Sequence, residues 1–269
     1  MRQQSSLARL LASAALTAIL AAGLGGCQTT SDITGSLTPK AEASSDSDPR
    51  RAVEIDGERY RADPKNAEAA LAYGQALRAT GQRSQAAAVL EQATISHPGD
   101  KVLLAGYGRA LADNGNFQQA FDVLSRAHSP DNPDWRILSV QGTALDQLGR
   151  HDEARQYYAS ALKIVPDEPS VLSNLGLSYV LSKDLPKAEE VLRQAYASTR
   201  ADGRVRQNLG LVVGLQGRFA EAEQIVRADL PADEAAANVA YLKQMLNRKD
   251  DPRKGAASRM PVASLNRPE

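Results

Sequence analysis

Small and apolar residues recur along this chain with a period of 34 residues. Glycine stands at the same position of five successive units, namely Gly74, Gly108, Gly142, Gly176 and Gly210. A fixed period between about twenty and fifty residues is typical of stacked supersecondary units, since one unit alone cannot bury its apolar face. The pattern therefore predicts a solenoid of repeated units.

Three further columns keep the same phase as these glycines. Alanine follows twelve residues later, at Ala86, Ala120, Ala154, Ala188 and Ala222. Large apolar residues follow sixteen residues later, at Leu90, Leu124, Tyr158, Leu192 and Val226. Turn-forming glycines lie between the columns, at Gly81, Gly115, Gly149 and Gly217. Each unit is predicted to be helix, short turn, helix, with the glycine facing the alanine so that two antiparallel helices approach closely.

Segments with helical periodicity flank the five units. Ser47 to Asp63 is predicted to form the second helix of an incomplete leading unit, because Asp48 and Pro49 suit a helix start. Residues 233–247 have apolar residues at helical spacing and acidic residues in the first turn, which predicts a C-terminal capping helix. We therefore expect an all-α solenoid over residues 48–247.

These columns resemble the tetratricopeptide repeat (TPR) family, whose pattern has a small residue at position 8, alanine at 20, a small residue at 27 and often proline at 32. The resemblance covers residues 67–100, 101–134, 135–168, 169–202 and 203–236. The last unit departs from the pattern, with Arg206 at an apolar position and Asp229 at a small one. The resemblance implies five stacked helix pairs with a concave groove lined by the first helix of each pair.

The resemblance also implies which side chains the groove exposes to a protein partner. They are Leu71, Gln75, Arg78, Ala105, Arg109, Ser139, Thr143, Asp146, Ser173, Leu177, Gln207 and Leu211. Asn174 and Asn208 occupy one equivalent position in successive units and are the candidates for hydrogen bonds to an extended peptide backbone; ordinary exposed asparagines near helix starts are the alternative. Some TPR proteins hold a C-terminal carboxylate with lysine and asparagine, but Leu71 and Gln75 do not support that clamp here.

The N-terminus has the pattern of an export signal. Arg2 and Arg9 precede an apolar stretch from Leu10 to Leu24, which has the length of a signal-peptide core and is short for a membrane span. The sequence from Leu24 to Cys27 resembles a bacterial lipobox, which implies removal of residues 1–26 and lipidation of Cys27. An uncleaved anchor with an incidental cysteine is the alternative. Gln28 after the cysteine favours the outer membrane, with the repeats facing the periplasm, over the inner membrane.

The segments outside the solenoid are polar. Residues 27–47 are predicted to be a lipidated flexible tether, and residues 248–269 a disordered basic tail. The whole chain has 32 basic and 32 acidic residues, so no nucleic acid partner is indicated.

Residue types for catalysis are scarce. The chain has one cysteine and three histidines, His97, His128 and His151, which are expected in surface loops at repeat ends or turns. No metal-binding or nucleophile motif is present in the sequence, and we expect no metal, cofactor, small-molecule substrate or enzymatic activity. Protein binding is the remaining function class.

Lipobox, polar tether, five TPR units and basic tail together resemble the TadD-like lipoproteins of tight-adherence (Flp, type IVb) pilus systems. The run from Thr29 to Ser36 after the cysteine is part of that resemblance. It implies a scaffold role in pilus assembly at the outer membrane, with support of the secretin ring in the manner of a pilotin. An adaptor of outer-membrane protein insertion or of cell-wall synthesis is the alternative.

Overall fold

A computed structural model describes residues 48–129 and 131–249, so the expectations for the signal peptide, Cys27, the tether and most of the tail lie outside the described residues. The described residues form twelve helices and no strand. The all-α prediction is therefore confirmed.

Ten of the helices form five antiparallel pairs. The first helices of the pairs are α2 (Ala67–Ala79), α4 (Lys101–Asp113), α6 (Trp135–Gln147), α8 (Pro169–Leu181) and α10 (Gly203–Leu215). The second helices are α3 (Arg83–Ser96), α5 (Phe117–Ala127), α7 (His151–Ile164), α9 (Leu185–Tyr196) and α11 (Phe219–Val226). The flanking helices are α1 (Pro49–Ala62) and α12 (Ala232–Lys249). Each helix packs on the next, and each first helix also contacts the first helix of the following pair, which makes the array a solenoid.

A capping residue begins every first helix and repeats with the same period of 34. The caps are Asn66, Asp100, Asp134, Glu168 and Asp202, and each side chain accepts a hydrogen bond from a backbone N–H two or three residues later. Such a cap satisfies an otherwise unpaired N–H and stabilises a helix by about 1 kcal/mol. This ladder fixes the start of each repeat.

The glycine ladder lies where the two helices of a pair are closest, but its partner is not the alanine column. A Cβ built on any of the five glycines would fall 2.5 to 2.6 Å from the large side chain sixteen residues later. These partners are Leu90, Leu124, Tyr158, Leu192 and Val226. The nearest atoms therefore do not belong to the alanine, as was expected: near Gly108 and Gly210, the backbone carbonyl of the alanine on the second helix comes next, at 3.4 Å. Glycine is needed because the large side chain lies over its Cα.

The turn inside each pair has a left-handed residue seven positions after the ladder glycine. Glycine fills it in four repeats, with φ of 76° to 84°. In the fourth repeat the residue is Lys183, with φ of 66°. Left-handed backbone costs a residue with a Cβ about 1 kcal/mol or more, so Lys183 is a strained exception in an otherwise regular array.

The two departures in the last repeat contact each other. Arg206 Nε donates to Asp229 Oδ2 at 2.5 Å, and its Nη2 donates to Asp229 Oδ1. The equivalent pairs in the three preceding repeats are Leu104 with Ala127, Leu138 with Ala161 and Leu172 with Ala195, all buried. At the end of the array an ion pair thus replaces an apolar contact, and both side chains stay partly exposed.

Replacing Lys183 with glycine is expected to stabilise the protein. The substitution removes the cost of left-handed backbone, and the greater freedom of glycine in the unfolded chain offsets part of the gain, which leaves about 0.5–1 kcal/mol. Chemical denaturation followed by circular dichroism measures the change. Gly149→Lys, at the equivalent turn of the third repeat, is the matched control and should lose about 1 kcal/mol. A Lys183→Gly variant less stable than the parent would show that the turn is not strained.

Candidate functional site

The first helices of the five pairs form one face of the solenoid, and the predicted groove residues divide into three groups there. Gln75 is exposed. Leu71, Arg78, Arg109, Asn174, Leu177, Gln207, Asn208 and Leu211 are half-buried. Ala105, Ser139, Thr143, Asp146 and Ser173 are buried. The expectation that the last five are exposed is therefore wrong, because neighbouring first helices pack against them.

Asparagine and serine link successive first helices in the C-terminal half of the array. Asn174 Nδ2 donates to Ser139 Oγ at 3.1 Å, and Asn208 Nδ2 donates to Ser173 Oγ at 2.8 Å. The two asparagines proposed for peptide binding thus each use an N–H to hold the preceding repeat. Arg78 makes the corresponding link in the N-terminal half, since its Nε donates to Asp113 Oδ2 at 2.6 Å.

A buried carboxylate joins the third and fourth repeats. Asp146 accepts hydrogen bonds from Ser178 Oγ at 2.8 Å and from Tyr158 Oη at 2.9 Å, and His151 Nδ1 lies 2.8 Å from its Oδ1. Burial raises the pKa of Asp146 above its ordinary value, although the three hydrogen bonds and the nearby His151 lower it in part. Asp146 therefore links the third and fourth repeats through its hydrogen bonds.

All three histidines are half-buried rather than fully exposed, although His97 and His128 lie at repeat ends as expected. His151 opens α7 and contacts Asp146, and its side chain is 25% exposed. His128 follows α5 and is half-buried, with Nε2 3.1 Å from Gln141 Oε1. Polar residues of α6 contact both histidines: Gln141 contacts His128 at the end of α5, and Asp146 contacts His151 at the start of α7.

The groove stays open between the first and third repeats, where it holds a cavity of about 280 Å³. Four of the predicted groove residues line it: Leu71, Gln75, Ala105 and Arg109. The others that line it are Lys101, Val102, Ala127, His128, Asn132, Asp134 and Ile137. We call this cavity the N-terminal pocket. It combines an apolar floor with charged and polar groups, as ligand sites commonly do.

Arg109 is the dominant charge in the N-terminal pocket. Its Nε is buried and has no hydrogen-bond partner among the described residues. The pKa of Arg109 is lowered to about 10, first by burial and then by the positive charges of Arg78 and Arg136, while the carboxylates of Asp134 and Asp113 offset part of the shift. The pocket thus contains a cation that forms no ion pair within residues 48–129 and 131–249.

Several residues of the pocket were not predicted from the sequence. Lys101 and Val102 open α4, while His128, Asn132 and Asp134 belong to the connection from α5 to α6. That connection is where the repeat pattern is irregular, with Pro133 one place later than the repeat ends Pro98 and Pro166. The displaced proline was the available signal that this connection differs from the others.

Family models match two stretches of the chain. The tetratricopeptide repeat model matches residues 136–201, and the model described as anaphase-promoting complex, cyclosome, subunit 3 matches residues 54–127. No curated protein matches the sequence. Neither matching model describes an enzyme family.

Solved structures with the same fold extend over most of the chain. The type IV pilus biogenesis factor PilW has 19% identity and a TM-score of 0.62, with 72% of this chain and 91% of that chain covered. A thermophilic TPR protein of Thermus thermophilus has 22% identity and a TM-score of 0.59, with 66% of this chain and 100% of that chain covered.

This chain is a tetratricopeptide-repeat solenoid. TPR solenoids bind protein partners and are typically scaffolds without enzymatic activity. A longer relative, the Cut9–Hcn1 tetramer of the anaphase-promoting complex, has 18% identity and a TM-score of 0.61; this chain spans 40% of that chain's length, and 76% of this chain is covered.

Two chemical features are missing from residues 48–129 and 131–249. No helix in this part of the chain is long and apolar enough to cross a membrane. In the same residues, no group of three histidine, cysteine, aspartate or glutamate side chains could hold a metal ion.

Asp146→Asn is expected to change the pH dependence of stability. Because the pKa of Asp146 is raised in the folded state, its ionisation costs stability, and that cost is absent below the ordinary aspartate pKa and present above the raised one. The variant should therefore gain stability relative to the parent as the pH rises above the ordinary aspartate pKa of about 4. Urea denaturation at each pH measures the free energy of unfolding.

Asp131→Asn, at an exposed position between α5 and α6, controls for the loss of one negative charge. A difference between Asp146→Asn and the parent that stays constant with pH within about 0.5 kcal/mol would contradict the assignment.

Proposed function

We propose that this chain is a lipid-anchored scaffold of the cell envelope that binds a protein component of a tight-adherence (Flp) pilus assembly system. The observation that carries the binding part is the open N-terminal half of the groove, with a cavity of about 280 Å³ and a buried, unneutralised arginine. Concave faces of this kind bind extended segments of partner proteins.

Two further observations support the pilus part of the proposal. The structure of PilW, a type IV pilus biogenesis factor, shares the fold over 72% of this chain. The sequence from the apolar N-terminal stretch to Cys27 resembles a lipobox, and the chain as a whole resembles TadD-like lipoproteins. We propose that Cys27 carries the lipid and that the repeats face the periplasm from the outer membrane, where they support the secretin.

The anchor has a direct physical basis. A single acyl chain binds a membrane marginally, whereas two or more acyl chains hold a protein there stably. The polar segment after Cys27 would keep the solenoid within a few nanometres of the bilayer. The scaffold would then concentrate its partner at the membrane surface without inserting any repeat.

Affinity purification of the tagged chain from its own cells tests the proposal. We expect pilus-assembly components, the secretin first among them, to co-purify from solubilised outer membranes with the parent chain. Enrichment of components for outer-membrane protein insertion or cell-wall synthesis in their place would contradict the pilus role and support the alternative adaptor.

Cys27→Ala separates anchoring from binding. This variant should leave the membrane fraction but still capture the same partner in the soluble fraction, since the groove is unchanged. A Cys27→Ala chain that still fractionates with the outer membrane after removal of the signal peptide would contradict lipid anchoring.

A further inference from the structure

The N-terminal pocket is the place where the groove has polar groups left without partners. In the third and fourth repeats the polar groove residues are buried or half-buried and bonded to each other, as in the link between half-buried Asn174 and buried Ser139. In the N-terminal pocket, Arg109 Nε and His128 Nδ1 are both buried, and neither has a partner among the described residues. A buried polar atom without a hydrogen bond costs about 1–3 kcal/mol, more when the group is charged, so a ligand group that bonds to either atom recovers part of that cost.

The charge around the pocket favours an anion. The nearby carboxylates already accept hydrogen bonds: Asp113 from Arg78 Nε and Asp134 from the backbone N–H of Arg136. No carboxylate among the described residues forms an ion pair with Arg109. Lys101 also lines the pocket and adds a second positive charge. Within the described part of the chain, the positive charges that line the N-terminal pocket are therefore left without a paired carboxylate, which a negatively charged ligand group can supply.

His128 supplies a different recognition element. Gln141 Nε2 donates to Ser125 Oγ, so the hydrogen-bond network assigns Gln141 Oε1 as the acceptor for His128 Nε2–H. His128 Nδ1 of the neutral ring is then an acceptor with no donor. His128 Nδ1 can accept a hydrogen bond from a backbone N–H of the partner segment that carries the anionic side chain.

The position of the pocket indicates that the bound anion is a side chain within the partner segment and not the C-terminal carboxylate of that segment. The pocket draws residues from α2, α4 and the start of α6, so a bound segment would continue along the groove on both sides. Gln75 is exposed and Val102 is 62% exposed at this site, where both can contact the flanking residues of that segment.

We propose that the N-terminal pocket is a subsite for the side-chain carboxylate of an aspartate or glutamate within an extended segment of the protein partner, and that Arg109 is the residue that binds it. A guanidinium holds a carboxylate through two parallel hydrogen bonds. The inference rests on the proposed function of the groove as a protein-binding surface, and it adds the chemistry of one partner residue.

Nuclear magnetic resonance on the full-length chain tests the subsite without any partner. The probe is N-acetyl-glutamate N-methylamide, and its matched control is N-acetyl-glutamine N-methylamide, which has nearly the same shape and no charge. We expect the glutamate probe to shift the Arg109 Nε–H signal saturably and to bind about tenfold or more tightly than the glutamine probe. Equal binding of the two probes would overturn the proposal.

Variants and a third probe sharpen the result. Arg109→Gln should abolish the difference between the glutamate and glutamine probes at the neighbouring backbone signals, whereas Arg150→Gln, an exposed arginine paired with Glu153, should leave it unchanged. N-acetyl-alanine, which presents a C-terminal carboxylate, should bind more weakly than the glutamate probe. Tighter binding of N-acetyl-alanine would contradict the assignment to an internal side chain.

The partner experiment and the subsite experiment fail independently. If Arg109→Gln captures the pilus partner as efficiently as the parent chain, the subsite is wrong while the proposed function stands. If the glutamate probe binds as expected but other envelope proteins co-purify, the pilus role is wrong while the subsite stands.

Discussion

The contact between a glycine Cα on the first helix and a large side chain on the second sets the geometry of every repeat. The approach is so close that a Cβ at Gly108 would lie 2.5 Å from the side chain of Leu124, and the other four repeats show the same approach within 0.1 Å. Glycine costs a helix about 1 kcal/mol relative to alanine, so the packing of the large side chain must offset that cost five times. Because the spacing between the two helices is the same in every pair, the first helices all lie on one face of the solenoid. There they form the groove.

The groove is not uniform, although the repeats that build it are. Polar residues of the third and fourth repeats, such as Ser139 and Asp146, are used to join neighbouring repeats and are closed to a ligand. The N-terminal pocket keeps Arg109 and His128 with unsatisfied nitrogen atoms. Packing between repeats thus uses polar groups of the C-terminal half, whereas the N-terminal pocket keeps two nitrogen atoms without partners among the described residues.

The sequence predicted the features that depend on a single repeat. The glycine and turn columns were enough for five helix pairs, and helix-start residues and helical apolar spacing were enough for the two flanking helices. The joint departure of Arg206 and Asp229 was visible before their contact was known. Burial of Ser139 and of Asp146 could not be predicted, since it depends on how one repeat is rotated against the next. The unsatisfied state of Arg109 could not be predicted either, because it reflects carboxylates already bound elsewhere, Asp113 among them.

A double-mutant cycle on Gly108 and Leu124 tests most directly whether this contact sets the helix spacing. Helix propensity alone would make Gly108→Ala about 1 kcal/mol more stable, but the clash with Leu124 should make it less stable by about 1–3 kcal/mol. Gly203→Ala, whose Cβ would lie 3.4 Å from Asp229, should show no such loss. In a Leu124→Ala background the cost of Gly108→Ala should disappear, which gives a coupling energy of at least about 1 kcal/mol. Free energies of unfolding that are additive within about 0.5 kcal/mol would contradict the account.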